Sequence, residues 1–336
     1  MTARTRARLS KGRGRGTAAR RTRRSITART VGARPIVLKL GGELLEDSAG
    51  ILAVGSTIAG LQGDHPLVVV HGGGKDIDAA LARAGIAKQQ VDGLRITDDE
   101  TLEIVVSVLA GRVNTRLVAA VTAAGGDGVG LTGADGAVGL VDKAARHVAS
   151  TGAQVDLGRV GIPVGRQPPR LIADLCRGGY IPVVASIGAS RSGELYNVNA
   201  DTFAAHLAGI IGAQRLVIAG STSGVLDEAG HTIPALDLDG IERLVTAGTA
   251  TAGMIAKLSA ARDAVVNGVR EVLIVNGGNL GALTQLVRQG TRAAVSGYTQ
   301  VKRKGPVDVR LKPDATTPRG RASRVPRSRD SRSARL

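Results

Sequence analysis

Tryptophan is absent from this 336-residue chain, phenylalanine occurs once, at Phe203, and three tyrosines complete the aromatics. A core without rings must be aliphatic, built from Val, Ile, Leu and Ala. Nucleic-acid readers that stack bases on aromatic platforms are disfavoured for the same reason. A single cysteine, Cys176, excludes an intramolecular disulfide and a multi-cysteine zinc site, and its place on an apolar helical face marks it as core. No uninterrupted apolar run reaches the roughly 18 residues of a membrane span. The five histidines show no metal-ligand spacing, and no Ser or Cys nucleophile motif is present. Glycine, by contrast, is abundant at 47 residues, which implies many tight turns and close backbone approaches.

Negative charge is scarce only at the ends. The formal net charge is +17, yet residues 1–34 hold 12 Lys+Arg and no acid, and residues 302–336 hold 12 Lys+Arg against three Asp. The body between them is slightly acidic, at −4. Both tails, 1–34 and 301–336, are rich in Arg, Ser, Thr, Gly and Pro and poor in apolar residues, so they are expected to be disordered. They read as solvated extensions, the first also as the product of a misplaced start codon. Non-specific polyanion binding is a second reading. An organelle transit peptide is a third for the first tail, although it lacks an amphipathic face.

From Ile36 onward, short aliphatic runs alternate with helical patterns. Strands are expected at Ile36–Leu40, Leu67–His71, Ile181–Ile187, Leu216–Ala219 and Glu271–Val275, the last clear one, with a further segment at Val138–Val141. A helix follows Gly72-Gly73-Gly74, with Ile77, Ala80, Leu81 and Ala84 on one face. Thr97-Asp98-Asp99-Glu100 reads as a capping box opening a long helix through Leu109. Glycines from Gly125 to Gly136 end that region, and irregular or hairpin structure runs to Gly165. Later helices pass through Leu171–Leu175, follow Asn199, and pass through Ile241–Val245, Ile255–Val266 and Leu283–Val287. Continuous aliphatic strands separated by helices predict an α/β fold, an open and mainly parallel sheet covered by helices on both faces in a three-layer αβα sandwich. Ligands in such sheets bind beyond the carboxyl ends of the strands, which selects the loops after Leu40, His71, Ile187, Ala219 and Val275.

Those loops carry the candidate chemistry. Strand, triple glycine and helix at His71-Gly72-Gly73-Gly74 read as an anion site, or as a tight turn needing positive φ. The Walker A spacing is absent. Gly128-Val-Gly130-Leu-Thr-Gly133 matches the dinucleotide fingerprint but follows a helix, so it is read as a decoy. Lys39, ahead of Gly41-Gly42, points opposite to Ile36, Leu38 and Leu40; in a buried strand it needs a negative partner, or else it snorkels at a sheet edge. Asn197, Asn199 and Asp201 precede a helix and could cap it, or place amides and a carboxylate in one cleft. Lys257 alone would be a solvated helix lysine, and Arg95 a surface residue.

Together these pieces resemble the amino acid kinase family. The matching segments are LKLGGELL (38–45), VVVHGGGKDID (68–78), VDGLRITD (91–98), LAGRVNT (109–115), GYIPVVASIG (179–188), YNVNAD (196–201), SGVLD (223–227) and GMIAK (253–257), in order, over roughly residues 35–295. The resemblance implies an N-terminal lobe, 35–190, for the acid substrate and dimerisation, and a C-terminal lobe, 191–300, for ATP. It implies γ-phosphoryl transfer from ATP to the side-chain carboxylate of N-acetyl-L-glutamate, the second step of arginine synthesis in the cytoplasm. The alternative is a sister reaction on aminoadipate or glutamate attached to a carrier protein. Carbamate and uridylate kinases share the fold but match less well. Lys39 and Lys257 would approach the transferring phosphoryl from opposite sides, with Asp201 holding both ammonium groups. Gly73, Gly74, Arg95 and Asn197 would bind the acid. Gly41, Gly42, Gly72, Ser221 and Gly224 would serve ATP, with Mg²⁺ held through its phosphates and no protein metal ligands. Ser221 departs from the family, where Asp is usual. The first tail lacks the apolar helix of arginine-sensitive hexamers, which points to a homodimer without arginine inhibition.

Overall fold

The computed structural model describes residues 33–149, 151–248 and 251–303. The expectations about the tails fall almost wholly outside these residues. Eight strands form one sheet: β1 (Ile36–Leu40), β2 (Leu67–His71), β3 (Gly128–Thr132), β4 (Ile181–Ala185), β5 (Arg215–Gly220), β6 (Ala235–Leu236), β7 (Glu271–Asn276) and β8 (Tyr298–Val301). Their spatial order is β6-β8-β7-β5-β1-β2-β4-β3. Only the β7–β8 pairing is antiparallel. The predicted αβα sandwich is therefore the observed fold. The sheet divides cleanly by sequence, with β1–β4 on one side and β5–β8 on the other. The seam is the β1–β5 pairing, in register from Ile36 opposite Arg215 to Leu40 opposite Ala219.

Alternation along β1 sets the layers. Ile36, Leu38 and Leu40 join a core with helices α1 (Ser48–Leu61), α2 (Gly74–Ala84), α3 (Asp99–Val106), α4 (Thr115–Ala123) and α9 (Leu280–Gln289). Val37 joins the opposite core, with α5 (Arg170–Arg177), α6 (Ala200–Ile210), α7 (Leu238–Thr246) and α8 (Ala252–Val266). A π-helical segment, Ser107–Asn114, joins α3 to α4. The 25-residue stretch Asp99–Ala123 is long and apolar enough, by length and composition alone, to cross a membrane, a feature that a search for uninterrupted apolar runs does not register. Here Val105, Leu109, Val113, Leu117 and Val121 bury one face in the core.

Several local expectations shift. The cap of α3 is Asp98, whose side chain accepts from Thr101 N, so the box begins one residue later than Thr97. Val138 and Gly139 are turn, Leu140 makes an isolated bridge to Ala189, and the strand there is Val141–Lys143, paired with Gly161–Pro163. The extended run at 181–187 breaks at Ser186, after which Ile187–Ala189 forms a separate hairpin with Leu195–Asn197. The supposed decoy is edge strand β3, where Gly130 leaves room for Asn114: a methyl group there would lie 2.3 Å from its Oδ1. Beyond Val275 the fold continues through β8, and Lys302 N–H still donates to Leu236 O, so the body reaches past residue 300.

Candidate active site

Lys39 stands at the penultimate position of the central strand, on the α6–α8 side of the sheet. Its Nζ lies 2.8 Å from Asp201 Oδ1, with the two side chains 6% and 9% exposed. Asn199 caps α6 by accepting from the N–H groups of Asp201 and Thr202. That cap places Asp201 in the first turn, where the helix dipole favours a carboxylate. Asp201 Oδ1 receives no aligned hydrogen bond, so the contact is an ion pair with acceptor capacity left over.

Glycine loops from three strand ends close around this pair. A methyl group on Gly42 would lie 3.0 Å from Gly73 Cα and 3.1 Å from Gly74 N, and one on Gly72 would lie 3.3 Å from Ala200 Cβ. None of Gly41, Gly42, Gly72, Gly73 and Gly74 lies in the left-handed region, Gly73 being extended at φ 177. Close approach of neighbouring atoms, rather than a left-handed turn, is what favours glycine at 42, 72 and 73. The first turn of α2 leaves the N–H groups that follow Gly73 without i−4 partners, which suits an anion. Gly220 completes the floor: a methyl group there would sit 3.1 Å from Lys257 Cε and 3.3 Å from Glu43 Oε1. Lys257 thus reaches the carboxyl end of β5 from α8. Its ammonium donates to Gly253 O at 3.3 Å. Among the described residues Asp201 is paired with Lys39, while Lys257 donates to its own helix; the hold on both ammonium groups that the resemblance implied is not made in this structure.

Arg95 is nearly buried beside this floor. Its Nη2 donates to Asp78 Oδ1 and, at 3.5 Å, to Gly74 O, while its buried Nη1 has no partner. Burial pushes the Asp78 carboxyl up, but hydrogen bonds from Lys88 and Arg95 outweigh it and hold the group below its ordinary range. Asn197 Nδ2 donates to Thr97 Oγ1 at 3.1 Å, and that hydroxyl donates to Arg95 O. Arg95 and Asn197 therefore share one wall with Gly74. Ser221 is exposed after β5. Gly224 is buried with φ +77; its N–H donates to Thr222 O, and a methyl group on it would lie 2.6 Å from Thr299 Oγ1. Its glycine is required by the turn, and its amide is already used, so it shapes the loop rather than offering a free N–H. Sequence reading missed Gly220, Gly277 and Glu43. The Gly277-Gly278 pair after a strand was the available signal: Gly277 N–H donates to Gly220 O at 2.8 Å.

His71, at the end of β2, is fully buried, and burial lowers its pKa to about 4. The unfolded chain then binds a proton near pH 6.5 that the folded chain refuses until about 4. Stability is accordingly complete above pH 6.5 and declines as pH falls from 6.5 towards 4, by about 3 kcal/mol for this group. Urea midpoints compared at pH 7 and pH 4.5 should show that loss, and a His71→Asn variant should show a smaller one.

Residues 34–276 match the model of the amino acid kinase family. An acetylglutamate kinase of Aromatoleum aromaticum is 42% identical over 248 residues, covering 73% of this chain and 82% of the relative. One from Methanopyrus kandleri is 41% identical over 246 residues, covering 71% and 94%. Among solved structures, an N-acetylglutamate synthase from Neisseria gonorrhoeae, complexed with coenzyme A and N-acetyl-glutamate, superposes with a TM-score of 0.68 at 23% identity, over 81% of this chain and 60% of that one. A carbamate kinase from Giardia lamblia bound to AMP-PNP gives 0.57 at 14% identity, over 81% and 99%. These two carry the fold alone. With a buried lysine–aspartate pair under three glycine loops and a family match over most of its length, the chain belongs to the amino acid kinase family.

Proposed function

We propose that this kinase transfers the γ-phosphoryl group of ATP to the side-chain carboxylate of N-acetyl-L-glutamate. The proposal rests above all on the placing of two lysines at the ends of adjacent strands: Lys39 at the end of β1, pinned to Asp201, and Lys257 over Gly220 at the end of β5. An in-line transfer needs positive charge on both sides of the moving group and little else, because an ionised carboxylate requires no general base. The carboxylate oxygen forms a bond to the γ-phosphorus as the bond to the β–γ bridging oxygen breaks, and the departing electron pair remains on ADP. No proton moves. Lys39 and Lys257 meet the charge on the equatorial and leaving oxygens, while glycine amides at 41–42 and 72–74 cradle phosphate and substrate.

Arg95 has an unpartnered Nη1 beside Gly74, which suits the α-carboxylate of the acid, with Asn197 on the same wall. Ser221 and the loop shaped by Gly224 border the nucleotide. Among the described residues no cluster of three or more His, Cys, Asp and Glu gathers at metal-binding distance. The donor set fits Mg²⁺ delivered on the ATP phosphates, where it would offset their charge. A homodimer through the N-terminal half and a cytoplasmic location belong to the same proposal.

Hydroxylamine should trap an acyl phosphate when the protein receives Mg-ATP and N-acetylglutamate, and much less with unacetylated glutamate. No trapped product from N-acetylglutamate, but product from a carrier-linked acid, would overturn the assignment of substrate.

A further inference from the structure

His71 takes no part in the chemistry above, yet it is the buried titratable side chain nearest the glycine cradle in sequence. Its Nδ1 lies 3.0 Å from Gly72 O, and its Nε2 lies 3.0 Å from Asn114 Nδ2. A carbonyl can only accept, so Nδ1 carries the proton. Asn114 Nδ2 also donates to Val183 O at 2.8 Å, which fixes that amide's orientation and leaves Nε2 as the acceptor. The chain of bonds is complete: Val183 of β4, Asn114 of the π segment, His71 of β2, and the Gly72 carbonyl. The π segment also presses on the loop directly, since a methyl group on Gly73 would lie 2.9 Å from Leu109 Cδ2 and 3.2 Å from Val113 Cγ2. π-helical turns occur disproportionately at functional sites, and this one brings Asn114 beneath the cradle.

We infer that His71 is a positioning residue: held by Asn114, its Nδ1–H fixes the Gly72–Gly73 peptide so that the amides at the start of α2 face the substrate. The Gly72 carbonyl is turned into the protein by this bond, and the following peptide is constrained in consequence. The inference rests on the proposed reaction for its kinetic readout, but its geometry does not depend on which acid is used.

Two substitutions separate positioning from packing. In His71→Asn the amide nitrogen falls near the old Nδ1 and retains the bond to Gly72 O while losing Asn114. In His71→Gln the amide reaches the old Nε2 position, retaining Asn114 and releasing Gly72. His71→Gln should lower kcat/KM for N-acetylglutamate by about 10- to 100-fold, the scale of a small misplacement of a binding group. His71→Asn should remain close to the parent, although both variants lose comparable thermal stability. Equal activity losses in the two variants, or an unimpaired His71→Gln, would overturn the inference. Isotope-labelled glycine provides a readout independent of substrate. The amide resonances of Gly72, Gly73 and Gly74 should move in His71→Gln and stay near their parent positions in His71→Asn. If the parent protein phosphorylates no acid, the proposed reaction fails, and these resonances alone decide the role of His71: unmoved in His71→Gln, they overturn it.

Discussion

Replacing Lys257 with alanine is expected to lower kcat by about 10²–10³ while leaving KM for both substrates and the melting temperature nearly unchanged, because a single charge donor aimed at the transition state is worth that much. The structure explains why stability should be spared. Lys257 is only half-buried, its ammonium has a backbone carbonyl of its own helix as partner, and its stem lies over Gly220, which has no side chain to lose contact with. Steady-state kinetics beside a thermal melt test this. A variant with near-normal kcat would remove Lys257 from the chemistry, and a destabilised one would make it a structural lysine.

Asp201→Ala should be severe in both respects. It strands an ammonium inside the sheet, and removing one member of a buried ion pair costs about 3–5 kcal/mol. The same change frees Lys39 from the position that makes it useful, so turnover should collapse as well. The double variant Lys39→Met/Asp201→Leu separates the two effects. An apolar pair of similar volume should recover much of the stability, as buried ion pairs often exchange for apolar groups without loss. It should recover no activity. Denaturant midpoints and turnover measured together decide the matter; a double variant that still turns over would show that the pair serves folding alone.

The sheet was legible because its inner strands are continuous aliphatic runs. The candidate site was legible because its residues gather where parallel sheets commonly bind ligands, beyond the carboxyl ends of β1 and β2. What sequence reading missed has physical causes. Helix α1 is apolar or small on most faces, with Gly55 set against Ala120 of α4, so its 3.6-residue period is faint. Strand β3 reads Gly-Val-Gly-Leu-Thr, a composition that propensity assigns to turns, and only the packing of Asn114 and Val121 against it explains its glycines. Strand β8 is short and lies antiparallel beyond the last crossover. Asn197, Asn199 and Asp201, three polar side chains within five residues, could not be divided from sequence: Asn199 caps α6, Asn197 turns to Thr97 and Asp201 to Lys39. His71 looked like the end of a strand because nothing local reveals Asn114, 43 residues away.

The β1–β5 seam has a mechanical consequence. Lys39 is anchored in a strand laced to neighbours on both edges and tied by its own head group to a helix. Lys257 rides on a helix outside the sheet and is held at its tip by one long hydrogen bond. In the proposed reaction the two charges would form a vice with one jaw cast into the frame and the other on a slide. Adjusting the gap to the length of a stretching phosphate would then fall to the sliding jaw, and wear on the frame, such as a loosened seam, would spoil the alignment of both.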